Sequence, residues 1–414
     1  MRYDTIIIGG GLAGLVSGIA LARGGSRVAM ISSGKSALHF FSGSFELWGE
    51  GVEAIPALAE SQPQHPYNKV TAGRIARYTM QAKDIFARAG MPLVGDADVN
   101  HLRLTPLGAL KPAWLTLDEY VTFDKDAAAE YKSVAIISIE GYLDFYPEFI
   151  ACGLEKMGID CHIRQIALEE FDRLRQSATE MRAVNLSRSL KGAALEEFAH
   201  KVRDVVNGEN LVLLPAIFGL GEENGLQKVR NIVGCNVKVA ATVSASASGV
   251  KMQKRLTDEF QALGGIFIGG DRVVKCNMEG GVIRSLNTVN HEEEEFVADS
   301  YILATGSFFG RGLVASPEEV YEPVMGLDVS PKMAREEWFN DDILAKQPFQ
   351  RFGVATDENL HPMVDGTPIA NLYAVGSVLA GADPVKEGCG AGVVVTTALM
   401  AAEEILAQKE NVKK

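Results

Sequence analysis

Short apolar runs alternate with longer amphipathic stretches along this chain, and the first pair sets the pattern. Thr5 to Ile8 is β-branched without a polar break, as in a strand buried in a parallel sheet. Leu12 to Arg23 is an apolar stretch of helical length, and Arg27 to Ile31 reads as a second strand. Further on, Arg74 to Ala89 has the spacing of an amphipathic helix, and Val134 to Ile139 is a strand. Gly141 to Met157 reads as a turn then a helix, and Leu211 to Leu214 as a short buried strand stopped by Pro215. Gly249 to Leu263 predicts a helix ended by Gly264-Gly265, followed by a strand at Ile266 to Ile268. Arg272 to Cys276, Val282 to Asn287 and Glu295 to Val297 predict an antiparallel meander turning at Gly280-Gly281. Glu292 to Glu295 reads as a solvated loop. Two more strands, Ser300 to Gly306 and Asn371 to Ser377, and a helix from Val393 to Gln408 complete the pattern.

Glycines punctuate these elements at positions with steric consequences. Gly9, Gly11 and Gly14 give G-x-G-x-x-G between the first strand and the first helix, and Gly18 follows one turn later. Gly9 permits the tight turn, Gly11 a close approach of backbone to a phosphate, and Gly14 and Gly18 close packing of helix on sheet. The free N–H groups of that helix then face an anion. Ala304-Thr305-Gly306 ends one later strand, and Gly388-Cys389-Gly390-Ala391-Gly392 opens the last helix, a second anion-type helix start. A ligand-free glycine turn accounts for any one of these pieces; the three in this order point to a bound dinucleotide or flavin.

Composition narrows the field. The chain has 414 residues, 47% hydrophobic and 22% charged, enough for one large or two ordinary domains. A formal net charge of −13 with no basic stripe argues against nucleic acid. The five cysteines are scattered without C-x-x-C, so neither a zinc nor an iron–sulfur site is written, no metal is expected, and a disulfide reductase is disfavoured. This usage suits a reducing cytoplasm. The apolar start is not read as a signal peptide, since Arg2 is offset by Asp4 and glycines interrupt the centre. No segment reads as a membrane span.

The second strand ends in Ser32-Ser33-Gly34-Lys35, where a dinucleotide fold calls for an Asp or Glu on the ribose; none follows until Glu46. That argues against NAD and weakens the case for FAD. FMN, without an adenosine ribose, needs no such carboxylate, and Ser32 or Ser33 is a weak substitute. Ser36 to Ser44 is either an ordinary turn or a loop laid against a ring or phosphate through Ser42-Gly43-Ser44. His39 in it is either a structural histidine or a base at a flavin edge. Arg182, Asn185 and Arg188, three apart, would share one helix face if that segment is helical, either a phosphate site or a solvated basic surface.

Several segments together resemble the B subunit of the bacterial anaerobic glycerol-3-phosphate dehydrogenases, within the wider group of succinate dehydrogenase and fumarate reductase flavoproteins. They are Ser36-Ala37-Leu38-His39-Phe40 with Ser42-Gly43-Ser44, Thr105-Pro106-Leu107-Gly108, and Arg182-Ala183-Val184-Asn185. Phe352-Gly353-Val354 with Thr356-Asp357, Asn371 to Val378, Asp383-Pro384 and Gly388-Cys389-Gly390 complete the set, which covers nearly the whole chain. Val243 to Gly249 departs from it, being rich in Ser and Ala where proline is expected.

The resemblance implies an α/β fold: a Rossmann-like, FAD/NAD(P)-binding, three-layer ββα flavoprotein domain with an inserted α+β substrate or cap domain. The expected division is 1–50 with 249–310 and 365–414 for the flavin, and 51–248 with 311–364 for the cap. It implies FMN as cofactor, with FAD the alternative. The partners implied are a larger FAD-binding catalytic subunit and an iron–sulfur subunit that anchors the complex to the inner membrane, leaving this chain cytoplasmic and peripheral. The reaction implied is oxidation of sn-glycerol 3-phosphate to dihydroxyacetone phosphate with electrons sent to quinone, a hydride leaving carbon for flavin while a base takes the hydroxyl proton. The expected flavin contacts are Gly9, Gly11, Leu12, Ala13, Gly14, Ser32, Ser33, Ser42, Gly43, Ser44, Thr305, Gly306, Gly376, Ser377, Gly388, Cys389, Gly390, Ala391 and Gly392. His39 is the candidate catalytic group, and Lys111, Arg188, Arg351 and Lys386 are candidates for the substrate phosphate. A stand-alone flavin oxidoreductase on another small alcohol or acid, or a non-catalytic partner subunit, remain the alternatives.

Overall fold

The computed structural model describes residues 2–124, 130–177, 179–291 and 293–412; Glu292, at the head of the acidic run, lies outside them. The chain opens with β1 (Arg2–Ile8), α1 (Leu12–Arg23) and β2 (Val28–Ser32). A long insertion follows. It contains α2 (Ala72–Arg88) and two small antiparallel sheets of three strands, one built on Leu115–Leu117 and the other on the His101–Leu104 and Leu110–Ala113 hairpin. Next come β3 (Ser133–Ile139), α3 (Pro147–Glu155), β4 (Asp160–Ile166), α4 (Ala183–Ser189), α5 (Gly192–Val205), β5 (Leu211–Pro215), α6 (Gly225–Val233) and β6 (Val237–Ala240). The remainder is α7 (Ala247–Ala262), β7 (Ile266–Gly269), β8 (Val273–Glu279), β9 (Val282–Thr288), β10 (Val297–Leu303), β11 (Leu372–Ala374) and α8 (Gly390–Val412).

The central sheet runs β7-β2-β1-β10-β11, all parallel, so its strands follow one another as third, second, first, fourth and fifth in chain order. This is the dinucleotide-binding order. Ile7 sits opposite Met30 on one side and Ile302 on the other, all fully buried. An uninterrupted apolar run is what a strand flanked by two others and covered on both faces requires. α1 lies close on this sheet because Gly18 has no side chain: a Cβ there would stand 3.0 Å from Met30 Cε and from a Phe260 ring carbon of α7. α8 packs against α1 and buries Val393, Val395, Ala398 and Leu399. Its segment Gly390–Asn411 is long and apolar enough, by length and composition, to cross a membrane, where the sequence pattern predicts no span. Within the fold 61% of that window is buried, as in a core helix.

The predicted three-stranded meander is a two-stranded hairpin, β8–β9. Phe296 bridges to Leu286, but Val297 already pairs with Arg2 as the first residue of β10, so the third segment belongs to the central sheet. The insertion carries its mixture of helices and antiparallel strands and adds a second parallel sheet, ordered β4-β3-β5-β6.

Candidate active site

Over the carboxyl ends of the central strands lies a cleft of ≈ 1370 Å³. Its floor is the turn from β1 into α1. Gly9 holds φ at +115°, and Gly11, the residue before α1, places no side chain on the helix start. A Cβ on Gly11 would meet nothing nearer than Ser36 Cβ at 3.6 Å, so space remains open over the first-turn N–H groups. No acidic residue lies in that turn. Gln253 of α7 fixes the loop, donating from Nε2 to Gly10 O at 2.9 Å and facing Ser36 Oγ at 2.5 Å through Oε1. Although the chain is acidic overall, Lys35, Arg272 and Arg311 line the cleft against a single lining carboxylate, Asp271. Open helix N–H groups with cationic walls make an anion cradle.

Of the expected flavin contacts, Gly9, Gly11, Leu12, Ala13, Ser32, Ser33, Thr305, Gly306 and Ser377 line this cleft. Thr305 Oγ1 is buried with no hydrogen-bond partner among the described residues. Gly14 and Gly376 lie one layer below. A Cβ on Gly14 would stand 2.0 Å from Gly9 O, and one on Gly376 2.9 Å from Ala13 Cβ.

The other candidates sit elsewhere. Ser44 pairs with Thr116 in an antiparallel sheet, Gly43 backs onto the Tyr120 ring, and Ser42, beside them, does not line the cleft. Of residues 388–392, Gly390 is backed by Pro384, Gly392 by Tyr67 and Glu46, and Cys389 is fully buried; Gly388 and Ala391 are part-exposed, and none of the five lines the cleft. His39 is half-buried, and burial followed by the Lys35 charge lowers its pKa; its neighbours Leu38, Phe40 and Phe41 line the cleft rather than its ring. Lys111 is exposed on the Leu110–Ala113 strand and Arg188 on α4. Arg351 pairs with Glu387 and Gln62 and donates to Gly381 O at 2.8 Å, while Lys386 donates to Leu344 O. These four cations do not converge on one place.

Known proteins decide the family. The model of the FAD binding domain family matches residues 4–393. The B subunit of the anaerobic glycerol-3-phosphate dehydrogenase of Yersinia enterocolitica is 40% identical over 421 residues, covering 99% of this chain and 99% of the relative. That of Pectobacterium atrosepticum is 37% identical over 420 residues, covering 98% and 99%. The chain belongs to this family of flavoprotein subunits. Among solved structures, the 3-ketosteroid delta1-dehydrogenase of Sterolibacterium denitrificans is similar at a TM-score of 0.47, with 11% identity and coverage of 98% and 100%. The quinol fumarate reductase FrdA of E. coli reaches 0.46, with 10% identity and coverage of 100% and 71%.

In this flavoprotein subunit the cleft also holds residues that sequence reasoning missed. Asp271 stands beside Ser32, its N–H donating to Ser32 O at 3.2 Å, close to where the fold calls for a ribose carboxylate. Its oxygens are already in use: Oδ1 accepts from Arg272 N at 2.8 Å and Asn290 N at 3.1 Å, and Oδ2 faces His291 Nδ1 at 2.8 Å. Burial would raise its pKa, but hydrogen bonds from Thr288, His291 and those backbone groups outweigh it and hold the carboxyl below its usual range. Phe40 and Phe309 meet edge to face at 5.2 Å across the cleft, half or more exposed. Val274 and Val289 add exposed apolar surface to its lining. An Asp just past a strand was the one available signal.

A separate buried group surrounds the start of α8. His65 Nε2 lies 3.4 Å from Glu387 Oε2, and Cys389 Sγ lies 3.7 Å from each. The three ligand atoms fall within 4.8 Å of one another, close enough to hold a metal ion. Hydrogen bonding reads differently. His65 Nδ1 accepts from Tyr67 N at 3.2 Å, which puts the imidazole proton on Nε2, facing Glu387 rather than a cation. Arg351 already neutralises Glu387 from the other side, and burial with Glu387 nearby pushes the Cys389 thiol far up, keeping it protonated. The group is a proton-bearing strut under the glycine turn.

The same turn supplies a stability test. A Cβ on Gly392 would stand 2.2 Å from Tyr67 Oη and 2.6 Å from Glu46 O. Gly392→Ala is expected to cost about 1–3 kcal/mol by overpacking. Tyr67→Phe alone gives up one hydrogen bond to Cys389 O at 3.3 Å, about 1 kcal/mol. Combined with Gly392→Ala it should recover part of the loss, because the clashing oxygen is gone. Urea unfolding of the four chains reads the cycle, and strictly additive losses would refute the packing argument.

Proposed function

We propose that this chain is a flavin-dependent subunit that oxidises sn-glycerol 3-phosphate to dihydroxyacetone phosphate within a heteromeric, quinone-linked dehydrogenase. Full-length identity of about 40% to relatives named for that activity carries the reading. The cleft supports it, with an open helix start, a cationic lining and a buried Thr305 hydroxyl without a partner among the described residues, all suited to a flavin diphosphate. When bound, the flavin supplies the hydride acceptor and an onward path for electrons. Gly11, Leu12 and Ala13 would hold its phosphates, and Thr305, Gly306 and Ser377 would border it.

For the cofactor itself the reading favours FAD over FMN. The cleft is lined by Val274 and Val289 together with Ser33. Its ≈ 1370 Å³ exceeds the roughly 300–1000 Å³ of an ordinary small-molecule site. Val274 and Val289 suit an adenine ring, and Ser33 would stand beside the ribose in place of a carboxylate. Burial and then the Lys35 charge lower the His39 pKa, which favours the neutral imidazole that a base requires.

The partners in this reading are a larger FAD-binding subunit and an iron–sulfur subunit that holds the complex on the inner membrane. The proposed flavin-binding part comprises 1–50, 249–310 and 365–414, and the proposed cap 51–248 and 311–364.

Acid release of the cofactor from the purified chain, read by mass spectrometry, should give FAD. Reconstituted with its partner subunits, the chain should reduce a quinone analogue when given sn-glycerol 3-phosphate. FMN alone would overturn the cofactor assignment, and an inactive but fully flavinated complex the substrate.

A further inference from the structure

We propose that Arg182 is the anion-binding arm of the substrate site, held in place by the buried carboxylate of Asp144 beside the loop Thr242–Ser246. This rests on the glycerol 3-phosphate reading and supplies the phosphate contact that Lys111, Arg188, Arg351 and Lys386, being dispersed, leave open.

The second parallel sheet sets the location. In the order β4-β3-β5-β6 the chain leaves β3 to one side for β4 and returns to the other for β5. Open α/β sheets take ligands outside their carboxyl ends at such a reversal. The loops at that edge are knit together: Val243 N donates to Asp144 O at 2.9 Å, and Leu143 N to Met181 O at 3.2 Å.

Arg182 sits in the middle of them. Its Nε lies 2.7 Å from Asp144 Oδ1, and Asp144 Oδ2 also accepts from Ala183 N at 2.8 Å, fixing the carboxylate from two sides. Asp144 is 1% exposed, so it orients the guanidinium without competing for a ligand in solvent. Among the described residues the Nη groups have one contact, Nη2 to Ser244 O at 3.5 Å, and the side chain is 46% exposed. An arginine anchored by Nε presents its Nη edge to an oxyanion.

Tyr142 and Thr242 are buried side by side in the same cluster, where the Thr242 hydroxyl hydrogen-bonds Tyr142, so the wall beside Arg182 is polar.

The loop connects this cluster to the flavin side. Ser246 N donates to His39 O at 2.9 Å and Ser246 Oγ to Phe41 O at 2.6 Å, and Phe41 lines the cleft. The loop thus ties the His39–Phe41 segment to Ser244, which Arg182 contacts. A small phosphate monoester bound here would have its phosphate on Arg182. Asp144 is a positioning residue, and Arg182 contacts the substrate.

The test uses the reconstituted complex with sn-glycerol 3-phosphate, and the isolated full-length chain with inorganic phosphate. Arg182→Ala should raise KM by roughly tenfold or more, beyond any change in kcat, with flavin content unchanged, as the loss of one charge-assisted contact implies. Arg182→Lys should recover part of the effect, and Asp144→Asn should raise KM less than Arg182→Ala does. Unchanged KM in Arg182→Ala overturns the assignment, and so does a KM rise that only accompanies loss of flavin. If the complex does not oxidise glycerol 3-phosphate at all, phosphate titration separates the two ideas. Binding by the wild type that Arg182→Ala abolishes upholds the anion site without that substrate, whereas equal binding, or none in either chain, overturns it.

Discussion

Replacing Gly9 with alanine is expected to abolish flavin binding and to lower stability by roughly 2–6 kcal/mol, combining a strained backbone with overpacking. Gly9 adopts φ +115°, which an L side chain rarely tolerates. A Cβ there would also stand 2.2 Å from Ala304 O and 2.6 Å from Ala304 C. That carbonyl cannot yield. Ala304 N donates to Ile8 O at 2.8 Å, and Gly9 N donates to Ile31 O at 2.8 Å, so the clash falls where three strands of the central sheet are tied together. Gly11→Ala should behave in the opposite way. At φ −83° and with 3.6 Å to the nearest atom, it leaves the fold intact and fills only the space over the helix start. Denaturant unfolding and flavin content measured on both variants decide the matter. Gly9→Ala should lose stability and flavin together, and Gly11→Ala flavin alone. A stable, yellow Gly9→Ala protein would refute the assignment of Gly9 as the pivot of the site.

The contrast between these two glycines shows what can be read from the sequence. β1, α1, β2, β10 and β11 are legible because each is an apolar run whose period matches its element and whose end is marked by a glycine. The cradle at Gly9 to Gly14 is legible for the same reason. What a glycine's missing side chain makes room for is not. At Gly11 the space stays open, but at Gly43 it is taken by the Tyr120 ring, at Gly390 by Pro384 and at Gly392 by the Tyr67 hydroxyl. All four look alike in sequence, and the occupant comes from a distant part of the chain. The candidate cations fail similarly: Arg351 looks free until Glu387 folds against it. Asp271 escapes notice because it reaches the cleft from β7, which pairs with β2 only after the long insertion closes. The last helix is longer than its sequence pattern predicts and passes for a span, since an apolar helix in a core and one in a membrane share a composition.

Glu387→Gln is expected to destabilise the protein by about 3 kcal/mol at neutral pH and progressively less as the solution is acidified. Burial by itself would raise this carboxyl, whose side chain is 8% exposed. The His65 hydrogen bond, the Asp383 N–H at 2.8 Å and the Arg351 charge reverse that and hold its pKa at about 2. The ordinary value is 4.5, so the folded state binds the proton less tightly than the unfolded chain does. Stability from this group is therefore complete above the unfolded pKa and is lost as pH falls through 4.5 toward about 2. Glutamine keeps the shape and removes the charge, leaving Arg351 without its counter-ion, a change that costs about 3–5 kcal/mol in buried pairs. Urea unfolding of wild type and variant should show the full gap at pH 7 and roughly half of it at pH 3. A gap that stays constant with pH would mean that glutamine merely packs badly. No gap at pH 7 would mean that the strut under the glycine turn does not depend on the charge, and that His65, Glu387 and Cys389 must be read again as a ligand set.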